Sequence, residues 1–292
     1  MLAFWPSDAV LVATQASLVC GPRPRLPRCL ARLRSSVWAW LLLPVSLGGT
    51  IALLAAAPGL GLAYAWVAAV GVPVMAAVAL TALGRSRRPV LVRAVVAGSS
   101  AVVLGAVAWM LDGSLLGQAA AVTLTALSAC AIASYLAGLA PARLLKVGLV
   151  AMATLDAVLV FSHALAGPND TLNAAGPGGH LPHLQVATFG SALIGYGDLF
   201  VAAVLGCLIV PPARRWPAAL LVLVLSAAFD LLFFVVDELP ATVPVAAALL
   251  LLEARRSSIA RAGSRRGKAA GAHSRCGSGT DMMGLGHEPS QR

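Results

Sequence analysis

Charge is scarce in this chain. Of its 292 residues only 11% are charged, whereas 59% are hydrophobic. A water-soluble domain needs more polar side chains than this to cover its surface, so the composition argues against an ordinary soluble fold. The formal net charge of +10 does not indicate nucleic-acid binding, because the cations fall in short connections between apolar runs and in the C-terminal tail. We therefore expect the lipid bilayer to be the solvent.

Cysteine is also scarce and scattered. None of the five cysteines forms a CxxC pair or has a histidine at metal-ligand spacing, so the sequence predicts neither a zinc site nor a disulfide framework. Two signatures of intramembrane proteolysis are missing as well, since the chain has no GxSG and no HExxH. Serine and zinc mechanisms of that kind find no support. The cysteines are Cys20, Cys29, Cys130, Cys207 and Cys276.

Long apolar runs dominate what is present. A transmembrane helix needs about 20 mostly apolar residues, and Pro, Gly and Arg clusters divide the chain into runs of that length. A further candidate, residues 2–20, contains Pro6 and Asp8, although Phe4 and Trp5 suit a membrane interface. The sequence therefore predicts an all-α polytopic membrane helix bundle of about nine transmembrane helices, the first having the weakest pattern. The other spans are 37–57, 62–84, 89–110, 115–139, 147–166, 186–210, 216–236 and 239–252.

The connections between these spans alternate in charge. Every second connection carries Arg or Lys, and the connections between them carry none. Because basic loops remain in the cytoplasm, this alternation predicts a multi-pass cell-membrane protein with a cytoplasmic C-terminus and an N-terminus outside. The basic groups lie at residues 23–34, 85–88, 143–146, 214–215 and 255–268.

Three aspartates lie within the predicted spans. Asp156 and Asp198 occupy the middle of consecutive antiparallel spans. The residues that follow Asp230, 231–234, form no recognisable site, which favours a structural role for it. An ionisable group at membrane depth is costly unless it is paired or hydrated, so each is a candidate functional residue. Two carboxyl groups close together share a proton. An aspartic protease uses such a pair: one carboxylate takes a proton from water while the other, protonated, hydrogen-bonds the scissile carbonyl.

Three local motifs resemble those of the presenilin and signal peptide peptidase family of GxGD intramembrane aspartyl proteases, which have nine spans, and the chain looks like a prokaryotic signal-peptide-peptidase-like member. They appear in the family's order over about residues 147–252. The motifs are Leu155-Asp156 followed by Val160-Phe161, then Gly195-Tyr196-Gly197-Asp198, then the PAL-like Leu239-Pro240-Ala241.

The resemblance implies a role for each motif. Asp156 and Asp198 would be the catalytic dyad, supported by Gly195, Tyr196 and Gly197. Substrate binding would fall to a segment of three residues, and no metal or organic cofactor would be needed. That segment is Pro240, Ala241 and Thr242.

Two residues depart from the family pattern. Leu155 replaces a Tyr beside the first catalytic Asp, and Thr242 replaces the Leu of PAL, with the second proline displaced to Pro244. The first change alters the support of Asp156, and the second alters substrate docking. The predicted orientation is similar to that of signal peptide peptidases, which favours substrates of type II orientation.

The resemblance also divides the chain into three parts. Residues 1–146 are predicted to be a scaffold of N-terminal transmembrane helices, and residues 147–252 to be the catalytic helices. Residues 253–292 are rich in Gly, Ser and Arg and cannot bury a core, so they are predicted to be a disordered basic cytoplasmic tail. The expected substrates are transmembrane helices or leftover signal peptides within the bilayer.

Two other functions fit parts of the pattern. Gly195-Tyr196-Gly197-Asp198 also matches a potassium-channel selectivity filter, but Leu193 stands where a filter has Thr. The tetrad is also expected inside one span-length apolar run, and a filter should follow a short pore helix. Intramembrane aspartates serve proton-coupled transporters equally well, so transport remains the second alternative.

Overall fold

The structure is a computed structural model that describes residues 3–25, 41–57, 59–83, 89–164, 167, 171, 181–236 and 239–258. The described residues up to Leu249 form one compact unit, and the described residues from Leu250 onward belong to a second. Within the second unit, residues 250–258 are helical, and Arg256 makes an ion pair of 3.0 Å with Glu253. The first six residues of the predicted disordered tail are therefore helical, and residues 259–292 lie outside the described part.

Helices account for most of the first unit. Five segments are long and apolar enough to cross a membrane, namely Leu60–Leu83, Val90–Met110, Leu115–Leu139, Ala142–Phe161 and Pro212–Phe234. A membrane helix bundle is supported to this extent. The helices are α1 Phe4–Leu18, α2 Leu42–Ala56, α3 Leu60–Leu83, α4 Val90–Met110, α5 Leu115–Leu139, α6 Ala142–Phe161, α7 Tyr196–Leu208, α8 Arg215–Asp230 and α9, which begins at residue 242.

Helix α5 forms the centre of the packing. It contacts α3, α4 and α7, and 56% of its most apolar window is buried, against 17% for α3 and 11% for α4. Ala, Gly, Ser and Thr recur along α5, and small side chains allow neighbouring helix backbones to approach closely. Ser114 caps its first turn by accepting the Gly117 N–H at 3.1 Å. The outer faces of α3 and α4 are left with exposed apolar side chains, as a lipid-facing helix requires.

Residues 186–210 do not form the single span that the sequence predicts. Strands β1, Val186–Phe189, and β2, Ala192–Gly195, pair antiparallel, and α7 begins only at Tyr196. The turn is made at Gly190, whose φ of 61° favours glycine. The all-α prediction is wrong for this hairpin, and Asp198 lies in the first turn of a helix instead of midway along a span.

The turn of this hairpin is held by two other helices. The Gly190 N–H donates to Gln118 Oε1 of α5 at 2.7 Å, and the Ser191 N–H donates to Ser7 Oγ of α1 at 3.3 Å. Backbone donors away from water need such partners, so these side chains make a hairpin possible in an apolar bundle.

The chain is also irregular before α9. After α8, Leu231–Phe234 form a 3₁₀ turn, Leu239 and Pro240 are not helical, and α9 begins at Thr242. Pro240 withholds a backbone donor just before the helix, whereas Pro244 lies in the first helical turn, where that donor has no intrahelical partner. The expected interruption at the start of the last span is therefore present.

Candidate active site

Asp156 and Asp198 are brought together by the packing of α6 against α7. Asp156 lies on the buried face of α6 and is 8% exposed, while Asp198 is partly exposed in the first turn of α7. The two carboxyl groups are close enough to interact electrostatically. The predicted acid pair stays a prediction, and Asp198 enters the site from the first turn of a helix and not from a mid-span position.

Thr242 binds Asp156 directly. Its hydroxyl donates to Asp156 Oδ2 at 2.5 Å, and its backbone N–H also interacts with this carboxyl group. Thr242 is 1% exposed and opens α9, so the positive end of that helix faces the carboxylate. Thr242 stands where the family's PAL motif has Leu, and its hydroxyl provides a donor that Leu lacks. The signal available in the sequence was a hydroxyl residue at a predicted helix start.

The glycines beside Asp198 have different contacts. The Gly195 N–H donates to Asp198 Oδ2 at 3.1 Å, which is one half of a capping box at the start of α7. A Cβ at Gly195 would lie only 3.0 Å from that oxygen, whereas a Cβ at Gly197 would lie 3.4 Å from Met152 Cε of α6. Gly195 therefore gives room to the carboxyl group, and Gly197 gives room to the neighbouring helix.

Tyr196 supports the site from a distance. Its hydroxyl is 2.9 Å from Ser128 Oγ of α5, and its ring packs against the core cluster that contains Leu124. This contact fixes the beginning of α7 to the central helix. Tyr196 thus anchors the element that carries Asp198.

Leu155, the residue that stands where the family has Tyr, faces another helix. Its Cδ2 would be 3.5 Å from a Cβ at Gly48 of α2. Leu155 therefore packs between α6 and α2. A leucine side chain cannot hydrogen-bond Asp156, and the donors to that carboxyl group come from Thr242.

The Pro240 to Thr242 segment is fixed by a residue that the sequence reasoning missed. Gln15 of α1 is 1% exposed, and its Nε2 donates to the Ala241 carbonyl at 3.0 Å. Ser226 Oγ of α8 donates to Gln15 Oε1 at 3.4 Å. An amide among apolar residues of a possible span was the signal for this site.

Asp230 also has a partner that the sequence did not indicate. Its carboxyl group interacts with that of Asp8 of α1. The rings of Phe4 and Phe233 lie beside this pair in sequence and contact each other, with centroids 5.3 Å apart. This contact links α1 to the end of α8, and the structural role of Asp230 stays a prediction.

Within the described ranges, no group of three His, Cys, Asp or Glu side chains is arranged to hold a metal ion. The comparisons with known proteins give no match to a family model, a curated protein or a solved structure. Function must therefore be argued from the geometry of the acid pair and its donors.

Proposed function

We propose that this chain is an intramembrane aspartic endopeptidase of the presenilin and signal peptide peptidase type. The main support for the proposal is that Asp156 of α6 and Asp198 of α7 come together in a predominantly apolar bundle. Two carboxyl groups that come together in an apolar bundle can share a proton, which would supply an acid and a base in one site.

The reaction follows from that shared proton. The ionised carboxyl group takes a proton from a water molecule, and the water oxygen attacks the peptide carbonyl carbon. The protonated carboxyl group hydrogen-bonds the carbonyl oxygen as negative charge develops there. Proton transfer to the amide nitrogen then allows the C–N bond to break.

The substrates we propose are single transmembrane helices or leftover signal peptides. A helical peptide bond is hydrogen-bonded within its own helix, so a substrate must become extended before cleavage. The hairpin that leads into Asp198 provides extended backbone of the kind that pairs with such a segment, and the nonhelical Pro240 and Ala241 lie on the Asp156 side. Leu193 of β2 is 53% exposed and offers an apolar contact beside it.

The proposed membrane topology has nine spans in the cell membrane, with the N-terminus outside and the C-terminus in the cytoplasm. The five span-length apolar helices and the alternation of basic connections support this arrangement. Helices α1, α2 and α7, with 15, 15 and 13 residues, are shorter than a usual span and would cross with the help of flanking nonhelical residues.

The test is cleavage of a single-span reporter peptide by the full chain reconstituted in liposomes. Asp156→Ala and Asp198→Ala should each abolish cleavage, while the matched control Asp112→Ala, in the exposed connection before α5, should cleave like wild type. If either dyad variant retains wild-type cleavage, the protease proposal fails. The same liposomes report the alternatives, since a channel would pass potassium and a transporter would move protons with a solute.

A further inference from the structure

Helix α1 has the weakest membrane pattern in the sequence, yet its buried face carries polar groups. Ser7, Leu11 and Gln15 follow one another at intervals of four residues and are 0%, 1% and 1% exposed. Residues four apart share one face of a helix, so the three form a single buried stripe. Burying an amide costs free energy unless its donors and its acceptor are hydrogen-bonded. The contacts of Gln15 therefore offset the cost of burying it.

Gln15 joins α1 to the segment that precedes Thr242. Its Nε2 donates to the carbonyl of Ala241, which is adjacent to Thr242 in the chain, and its Oε1 accepts from Ser226 of α8. Thr242 in turn donates to Asp156. The Ala241–Thr242 peptide unit therefore connects the amide of Gln15 to the residue that hydrogen-bonds the carboxyl group of Asp156.

The same helix also contacts the Asp198 side of the site. Ser7 accepts the N–H of Ser191 in the hairpin that leads into α7. At the other end of α1, Gly206 of α7 lies so close to Val19 that an added Cβ would be 2.6 Å from the Val19 carbonyl oxygen. Helix α1 is thus fixed against the element that carries Asp198 while Gln15 holds the segment that binds Asp156.

We propose that Gln15 is a positioning residue: by holding the Ala241 carbonyl it keeps Thr242 at Asp156, so that α1 sets the geometry of the acid pair. This inference rests on the proposed protease function. It assigns α1 a part in catalysis through the hydrogen bond of Gln15 to the Ala241 carbonyl. Small displacements of a catalytic group lower the rate far more than they lower binding, which is the effect expected when Gln15 is lost.

The experiment replaces Gln15 with methionine, which has a similar length but no amide. The matched control is Thr14→Val, because Thr14 is the preceding residue on the same helix, is partly exposed and hydrogen-bonds only within α1. Turnover is measured per active site, with sites counted by titration with a hydroxyl-containing peptide that mimics the tetrahedral intermediate. A purely structural loss lowers the number of sites, whereas mispositioning lowers turnover at each site.

We expect Gln15→Met to lower kcat per site by about 10-fold to 100-fold, the size of effect seen when a residue that orients a site residue is lost. We also expect cleavage to spread over neighbouring peptide bonds, because the acid pair is held less firmly. Thr14→Val should match wild type in both respects. If Gln15→Met matches Thr14→Val in kcat per site and in the bonds cleaved, the inference is overturned.

Hydrogen exchange separates this inference from the proposed function. The backbone amides of residues 241–243 should exchange faster in Gln15→Met than in wild type, and less strongly so in Ser226→Ala, which keeps the bond to Ala241. Unchanged exchange in Gln15→Met overturns the inference whether or not the protein cleaves peptides. If Gln15→Met does not fold, the test uses Ser226→Ala instead. Faster amide exchange at residues 241–243 than in wild type supports the inference, and exchange at the wild-type rate overturns it. Faster exchange without any cleavage by wild type would leave the link in place and refute the protease proposal.

Discussion

Thr242 donates its hydroxyl hydrogen to Asp156 Oδ2 at 2.5 Å, across 86 positions of the chain. The bond joins the start of α9 to the buried face of α6. By sequence resemblance, Thr242 marks a departure from a substrate-docking motif; by geometry it is the residue that orients one carboxyl group of the proposed dyad. Hydrogen bonds to an ionised group are stronger than those between neutral groups, so this contact has a measurable effect on the site.

The first prediction concerns this bond. Thr242→Val keeps the shape of the side chain and removes the donor, and we expect kcat for reporter cleavage to fall by about 10-fold or more, because a hydrogen bond to a charged group contributes about 1.5–3 kcal/mol. Thr242→Ser keeps the hydroxyl and should retain most activity. The measurement is single-turnover cleavage in liposomes.

The control for this prediction lies on the helix of Asp156. Thr154 is exposed and its hydroxyl bonds only to Val150 within α6, so Thr154→Val should cleave like wild type. Equal activity of Thr242→Val and Thr154→Val would show that the hydroxyl of Thr242 has no part in the reaction.

The second prediction distinguishes the two glycines of the GYGD tetrad. An alanine Cβ at position 195 would lie 3.0 Å from Asp198 Oδ2, so Gly195→Ala must displace the carboxyl group by a few tenths of an ångström and should lower kcat. The backbone is not the obstacle, because Gly195 has a φ of −69° that alanine adopts readily. Gly197→Ala meets only the flexible end of Met152, at 3.4 Å, and should keep more activity. Cleavage rates in the reverse order would contradict this assignment.

The third prediction is a bell-shaped dependence of kcat on pH. At low pH both carboxyl groups are protonated and no base remains to activate water, whereas at high pH both are ionised and no acid remains for the carbonyl. Rate must therefore fall on both sides of an optimum. A profile that stays flat across the range in which carboxyl groups titrate would rule out an acid–base role for the pair.

The fourth prediction is about stability, independent of any activity. Gly206→Ala would bring a Cβ to 2.6 Å from the Val19 carbonyl oxygen and 2.8 Å from its Cα, so α1 and α7 must separate. We expect a loss of about 1–3 kcal/mol in the free energy of unfolding, as for other overpacked sites. Gly105→Ala in α4 has nothing within 4 Å and should be neutral or stabilising, since alanine favours helix over glycine. Denaturation of both variants in detergent micelles measures the difference, and equal stability would argue against the close approach of α1 to α7.

The two aspartates illustrate how far the sequence reaches. Their chemistry and their neighbours Gly195 and Gly197 could be chosen from the sequence because a carboxyl group in an apolar stretch is rare and costly. Their depth could not, because residues 186–195 contain Val, Thr, Phe and Ile, which are apolar enough for a span and equally suited to strands. The hairpin was decided by Gln118 and Ser7, which satisfy its turn from two other helices.

By itself the sequence determined the apolar character of the chain and the length of its main helices, since both follow from side-chain composition along consecutive residues. Only the tertiary structure decided that Thr242 binds Asp156, that Asp8 binds Asp230, and that Gln15 holds a carbonyl 226 positions away. Hydropathy records how each residue prefers lipid or water and says nothing of which helix faces will meet. Those pairings arise from packing, where a buried polar group is stable only beside the particular partner that the fold brings to it.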